Sequence, residues 1–464
     1  MRYSRILAVG TAFAILSVAI AGQATVGVAA AKDLTDPQST GLSISLDSLT
    51  PVVPKAKDDL QLAGTVTNTS DREIDGANVE LRLSQDRLSS RDQLAKVASG
   101  DETPNTRGVS NGNTEIKSEL APGASASWTL KIPMSDLGLG NSGVYGMRLE
   151  ATSRQDSQVN TSVQTFLPWF PNANSVKPTK VVWLWPLSDW PDRNANNVFL
   201  TDRTPAEVTP VGRLSRVLDL GIAAKEQAEW VVDPQVLQAV NGMTAGYQVA
   251  GQSGTPIPGA STQAASDWIT KARTGLATAS VSATAYAVPD STALNRAKMT
   301  QDVVQATTTS AESVTALLGR PVTSSIGWPP GARTDTKTLS LLQKSGVRTV
   351  ALDNSALLPP GDGSSGAINS AVIRTESGPL AAILTDRVLS TSFGNAGSSA
   401  TDAVLARQRF LAETGQITID APDTERIVAV GPDPRWDPNT AVVADISGAL
   451  RSAPWMRSST LAQL

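Results

Sequence analysis

Six segments in the C-terminal part of this chain read as a buried strand ending in aspartate, and the sequence holds no histidine and no cysteine. Val181 to Asp189 is the first and Trp230-Val231-Val232-Asp233 the second. Val281 to Asp290, Val347 to Asp353, Leu380 to Asp386 and Ile427 to Asp433 follow the same plan. Carboxylates carried at successive strand ends are how α/β barrels assemble a site at one mouth. Without histidine, the commonest general base and the commonest metal ligand are missing. Ser-His-Asp and Cys-His nucleophilic arrangements are excluded by composition, while a Ser–Lys pair is not. Two facing carboxylates still suffice to cleave a glycosidic bond, one as acid and one as nucleophile or base. Asp189, Asp290, Asp353 and Asp386 are the catalytic candidates for that chemistry. An oxygen-only site for Mg²⁺ or Ca²⁺ would need three or more of Asp189, Asp233, Asp290 and Asp353 together. No metal and no other cofactor is expected. The competing reading of each acid is a helix N-cap or turn residue, where aspartate is favoured on propensity alone.

Tryptophan is the second chemical signal. Ten tryptophans stand beside only four tyrosines and six phenylalanines, and Trp183, Trp185 and Trp190 crowd the first of these strands. Trp230, Trp328 and Trp436 lie at or near other strand ends. Indole faces stack on sugar rings, and rim tryptophans stay partly wet while offering a large contact area. Trp183 and Trp185 point to the same side of their strand, so core packing competes for that pair. Trp190, Trp328 and Trp436 are expected to be the exposed ones. The ligand-binding set expected at the mouth is therefore Asp189, Trp190, Asp233, Tyr286, Asp290, Trp328, Asp353 and Trp436. Gly431-Pro432-Asp433-Pro434-Arg435-Trp436-Asp437-Pro438 forms a compact, proline-rigid acidic loop that reads as a rim element or a plain surface turn.

These residues need a scaffold, and 464 residues are too many for one core. Residues 42–167 alternate in period two: Leu42, Ile44 and Leu46; Leu60, Leu62 and Val66; Val79, Leu81 and Leu83; Trp128, Leu130 and Ile132; then 144–150 and 159–166. Short alternating strands separated by Pro, Gly and Asn turns predict an antiparallel, immunoglobulin-like β-sandwich. Residues 87–114 break the alternation and read as an elaborated loop. Residues 168–178, with Pro168, Pro171 and Pro178, form a stiff linker. From 179 to 464 strands alternate with helices, the mark of βαβ units. Helices are expected after Pro210, over 264–276, 291–318 and 335–345, and over 400–413, with Gly346 and Gly415 as left-handed stops. Counting 324–328, about seven strands can be drawn, which predicts a (β/α)7-like barrel. Loops at 361–366 and 394–399 would sit on its rim.

The N-terminus has the parts of a signal peptide: Arg2 and Arg5, an apolar run over 6–21, and Ala29-Ala30-Ala31 before Lys32. Residues 1–31 are expected to be removed and 32–41 to be a flexible entry, so the mature protein is secreted or extracytoplasmic. That cleavage takes away two arginines and no acid, which shifts the net charge from −4 to −6. An acidic surface of this kind does not favour nucleic acid. Membrane contact is expected only through the leader or through a C-terminal region beyond Leu464.

One stretch carries a resemblance. Ile326-Gly327-Trp328-Pro329-Pro330-Gly331-Ala332-Arg333 leads into a helix, then Gly346-Val347-Arg348-Thr349-Val350-Ala351-Leu352-Asp353. This resembles the polysaccharide deacetylase superfamily, where an Arg-Pro-Pro-x-Gly-like turn precedes a helix and the next barrel strand. Tyr286-Ala287-Val288-Pro289-Asp290 and Pro186-Leu187-Ser188-Asp189 fall where that superfamily has other strand-end motifs. The whole chain is similar to an uncharacterised family of exported actinobacterial proteins, a domain of unknown function with the same plan of leader, sandwich and barrel. Many of those continue into another β-domain and a membrane helix, and they often accompany genes for peptidoglycan-precursor transport. The deacetylases hold a metal with one Asp and two His. Here no His exists, Asp189 stands alone at the first strand end, and Gly327 or Trp328 replaces the motif arginine, so their metal-assisted hydrolysis is not expected. The resemblance implies a degenerate, non-catalytic barrel binding a cell-wall glycan or an envelope partner. The alternatives are a histidine-free glycoside hydrolase with paired aspartates and a structural module with a vestigial cleft.

Overall fold

The computed structural model describes residues 41–463 apart from 173–174, 226–227, 252–253, 357–368 and 395. The expected leader, most of the entry segment and the 361–366 loop lie outside the described residues.

The N-terminal part is two antiparallel sheets. In the first, β3 (Asp59–Asn68) pairs along its length with β6 (Ser125–Pro133) on one side, and with β1 (Leu42–Ile44) and β2 (Ser48–Thr50) on the other. The second runs β5 (Thr106–Ile116), β4 (Ala77–Ser84), β7 (Gly143–Ser153), β8 (Asn160–Trp169). Alternate residues such as Leu62, Leu130, Leu81 and Leu149 fill one shared core between the sheets. The loop expected over 87–114 is a correction: it contains helix α1 (Arg91–Ser99) and strand β5. Both escape a pattern search for physical reasons. α1 is nine residues long and buries only Leu94 and Val97 between its Ser90 cap and left-handed Gly100. β5 is an edge strand, and only Val109, Gly112 and Ile116 are buried along it.

Strands form at all seven expected C-terminal places: β9 (Thr179–Leu187), β11 (Ala228–Val232), β14 (Val281–Ala283), β15 (Ile326–Gly327), β16 (Thr349–Asp353), β18 (Gly378–Thr385) and β19 (Ile427–Val430). But β14 stops well short of Asp290, which caps the following helix and does not end a strand. They pair in parallel as β14-β11-β9-β19-β18-β16-β15, and a parallel bridge between Ala283 and Ser325 joins the two ends into a ring. This sheet is compatible with an α/β barrel-like domain. Strand β17 (Ser370–Thr375) folds antiparallel onto β18, and β10 (Val198–Phe199), β12 (Gln248–Ala250) and β13 (Pro256–Pro258) form a small side sheet. Strand β20 (Met456–Ser458) runs parallel to the start of β9, on residues 179–181, below the stretch where β9 meets β11.

The ring positions side chains by alternation. Leu184, Val231, Ile326, Ala351, Ile383 and Ala429 share the interior with Trp328. Trp183, Trp185 and Trp230 belong to the outer core with Phe393 and Phe410, so their strand faces the helices. The helices are α2 (Arg203–Glu207), α3 (Arg213–Ala224), α4 (Pro234–Met243), α5 (Thr262–Gly275), α6 (Ser291–Arg296), α7 (Thr300–Thr308), α8 (Ser310–Leu318), α9 (Thr336–Lys344), α10 (Arg387–Gly394), α11 (Ala400–Ile419) and α12 (Thr440–Ser452). The single helix expected over 291–318 is broken into α6, α7 and α8, with Lys298 at a positive φ of 64° in the first break. Gly346 follows α9 with φ of 100°, as a left-handed stop. Gly415 is a correction, because α11 runs through it to Ile419. A Cβ there would lie 3.2 Å from Val144 and 3.3 Å from Phe170, so this glycine serves close packing against the sandwich side and not a helix end.

Helix α11 is what the two parts share. Its Gln408 donates to Phe166 O at 2.8 Å, Arg407 to Leu49 O at 2.9 Å and Arg409 to Leu94 O at 2.8 Å. The Thr401 hydroxyl reaches Asp47 at 2.9 Å. No helix among the described residues is long and apolar enough to cross a membrane.

Candidate functional site at the barrel mouth

Each strand-end acid meets a different fate. Asp189, just past β9, is almost fully buried and accepts from Arg203 at 2.6 Å and Arg213 at 2.9 Å, with Thr204 at 3.3 Å. Both arginines also pair with Glu207, at 3.4 and 2.9 Å. Arg213 continues to the backbone oxygens of Ser188 and Trp436, tying the β9 end to the β19 loop. For Arg203, burial works against its charge, but the hydrogen bond and charge of Asp189 outweigh this and hold the guanidinium above its ordinary value.

Asp233 ends β11 and caps α4. It has no exposed surface; Oδ1 accepts from the Gln235 N–H at 2.8 Å and the Ala287 N–H at 2.9 Å, while Oδ2 is buried without a partner. Burial pushes this carboxyl up to about 7. Backbone hydrogen bonds from Ala287 and Gln235 and the charge of Arg435 pull the other way, and the charge of Asp189 adds to the rise. The loop it holds is strained: Ala287 has φ of 63° and the β-branched Val288 φ of 41°. Arg435 pins the same two residues through their carbonyls, both at 3.1 Å. Its guanidinium lies 3.8 Å from the ring centre of Trp190, which is 59% exposed. Burial lowers Arg435 from its ordinary value, against the charges of Asp433, Asp233 and Asp189.

The structure thus gathers Asp189, Trp190 and Asp233 around Arg435. Tyr286 stands beside them, its hydroxyl on Gln238 at 2.7 Å. The other acids stand apart. Asp290 is exposed and caps α6 through the Ala293 N–H at 2.9 Å. Asp353 accepts from the Ser355 N–H at 2.8 Å, with Arg333 3.9 Å away. Asp386 is buried and takes two hydrogen bonds from Arg91 of the sandwich, at 2.8 and 2.9 Å, while also capping α10. Among the described residues no three acids group so as to hold a metal ion.

Two tryptophans expected to be exposed are buried, which corrects that reading. Trp328 is 5% exposed and closes the ring's interior against Gly431, where a Cβ would lie 2.9 Å from its indole. Trp436 is 4% exposed and packs 4.5 Å from Phe393 and 5.3 Å from Trp185. Beneath the strained loop lies a cavity of about 10 Å³, room for a single water, lined by Thr284, Val288 and Trp328 among others. The residues that organise the mouth and escaped the sequence reading are arginines: Arg203, Arg213 and Arg435. A buried carboxylate requires a partner, and the cations within 25 residues of Asp189 were the available signal.

Similarity to solved structures is remote. A 4-alpha-glucanotransferase from Thermococcus litoralis aligns with a TM-score of 0.40 at 10% identity, over 62% of this chain and 40% of that one. A beta-glucosidase from Listeria innocua aligns with a TM-score of 0.18 at 13% identity, over 27% of this chain and 16% of its own. The chain therefore spans less than half the length of either protein. Comparison with curated proteins finds no match. At the level of sequence families the match is nearly complete, covering residues 2–464, and the protein belongs to the Family of unknown function (DUF6049).

Proposed function

We propose that this is an exported cell-envelope protein whose barrel mouth binds a cell-wall glycan without transforming it. One observation carries the non-catalytic part: each strand-end acid is already engaged by arginines or by a helix N-terminus. A glycosidase needs two carboxyls roughly 5–9.5 Å apart with a sugar between them. Asp189 is committed to two arginines and Asp233 is sealed from solvent. Recognition falls to Trp190, whose exposed indole is backed by Arg435 and offers a stacking face. Export rests on Arg2 and Arg5 ahead of the apolar run and on Ala29-Ala30-Ala31. The two N-terminal sheets are read as immunoglobulin-like, and the barrel as deacetylase-like without its imidazole ligands.

The histidine-free hydrolase keeps one favourable observation, a raised acid, Asp233, in electrostatic contact with Asp189. Retention on purified cell-wall glycan, scored together with released reducing ends, separates the readings. The expected result is retention without release, weakened in Trp190→Ala. Sugar release that disappears in Asp189→Asn establishes the hydrolase instead, and capture of an envelope protein with no glycan retention makes the mouth a protein-docking surface.

A further inference from the structure

We propose a second site, at the opposite end of the barrel, where Glu229 acts as the counter-ion for a small ligand carrying an ammonium group. The recess there has a volume of about 430 Å³, within the range of small-molecule pockets. It opens between the ends of α3 and α5, with Ile222, Ala279 and Trp230 as apolar wall and Lys225, Ser280 and Thr460 among its polar lining. Residues alternate along β11, so Trp230 turns to the helices while Val231 and Glu229 turn to the ring's interior.

Glu229 is the odd acid of this molecule. It is 5% exposed, yet among the described residues its carboxylate accepts only from the Leu461 N–H, at 2.8 Å on Oε1. No arginine or lysine pairs with it among the described residues, although Lys225 lines the same recess. Of the other buried acids, Asp189 is compensated by two arginines, Asp386 by Arg91, and Glu413 by Arg91 and Arg409, while Asp192 accepts from the Thr201 hydroxyl at 2.7 Å and lies within the field of Arg203. Asp233 lacks a hydrogen-bonded cation too, but it is closed off completely. Buried charges are paired in folded proteins, and Glu229 is the buried acid without a paired cation that lines a recess of ligand size. A cation from outside completes it. An alkylammonium fits best, its head on Oε2 and its carbon chain along Ile222 and Ala279.

The test titrates the full chain with n-butylammonium and with n-butanol, by calorimetry and ligand-observed saturation-transfer NMR. Butylammonium is expected to bind at least about tenfold more tightly than butanol, the usual worth of a charged hydrogen bond. Glu229→Gln keeps an acceptor for Leu461 and is expected to lose that preference. Ala279→Met fills the recess from a different residue and is expected to lose binding with Glu229 intact. Trp190→Ala is expected to bind as the parent does, which separates this site from the mouth. Equal affinity for the alcohol, full binding by Glu229→Gln in a folded protein, or no binding of the ammonium overturns the proposal.

Discussion

Asp189 and Asp386 end two strands of the same ring, are equally buried, and each is clamped by arginine, yet the two clamps do different work. The arginines on Asp189 come from 14 and 24 residues further along the chain and organise one loop over the mouth. The arginine on Asp386 comes from 295 residues away, in α1 of the sandwich, and also meets the buried Glu413 of α11. A carboxylate at a strand end is thus a versatile buried anion: where a local cation reaches it, it shapes a loop; where a distant one does, it docks a domain. Asp233, the third buried strand-end acid, has neither clamp, and burial raises its carboxyl well above the ordinary carboxylate range.

Removing the distant clamp should have the largest consequence. Arg91→Ala leaves Asp386 and Glu413 buried without their shared cation. It is expected to cost about 3–5 kcal/mol in denaturant unfolding, the range for breaking a buried ion pair. Arg213→Ala leaves Asp189 one of its two cations, because Arg203 remains, and should cost less, about 2 kcal/mol. A cost for Arg213→Ala as large as that of Arg91→Ala would break the distinction between local and distant clamps.

Asp233 makes a prediction in pH. Its carboxyl moves from 3.8 to about 7 on folding, so between those values the native state holds a proton that the unfolded chain has released. Stability is then full at low pH and falls as pH rises through about 4 to 7, by an amount on the order of 4 kcal/mol. Asp233→Asn keeps the acceptor for Gln235 and Ala287 and should flatten that slope, seen as a smaller change in Tm between pH 5 and pH 8. An unchanged slope would show that Asp233 keeps its charge in the fold.

Gly415→Leu tests the docked face itself. Its side chain would press on Val144 and Phe170, and overpacking of this kind costs about 1–3 kcal/mol. Trp190→Ala is expected to have the smallest effect on stability, about 0.5–1 kcal/mol from the lost stacking on Arg435. Its effect should appear in ligand retention instead.

Much of this architecture was legible because it repeats a period. The alternation of Leu60, Leu62 and Val66, or of Val79, Leu81 and Leu83, leaves one face that must be buried, and those strands appear as expected. All seven ring strands were read as apolar runs, for the same reason. β5 and α1 were not, since an edge strand and a nine-residue helix bury too little to leave a pattern. Gly415 misled because a glycine in a helical run looks the same whether it ends the helix or admits a neighbour. Trp328 and Trp436 misled because indole at a strand end serves equally well as rim or as stopper.

Order along the chain, strand-forming runs and the placement of acids just beyond them follow from local chemistry, since propensity and alternation act over a few residues. Which of those acids keeps its charge, meets a cation or is shut from water depends on side chains that approach from elsewhere in the fold. Burial and electrostatic pairing are properties of three-dimensional neighbourhoods, so the roles of Asp189, Asp233 and Asp386 were settled only when the ring closed and the sandwich came to rest on α11.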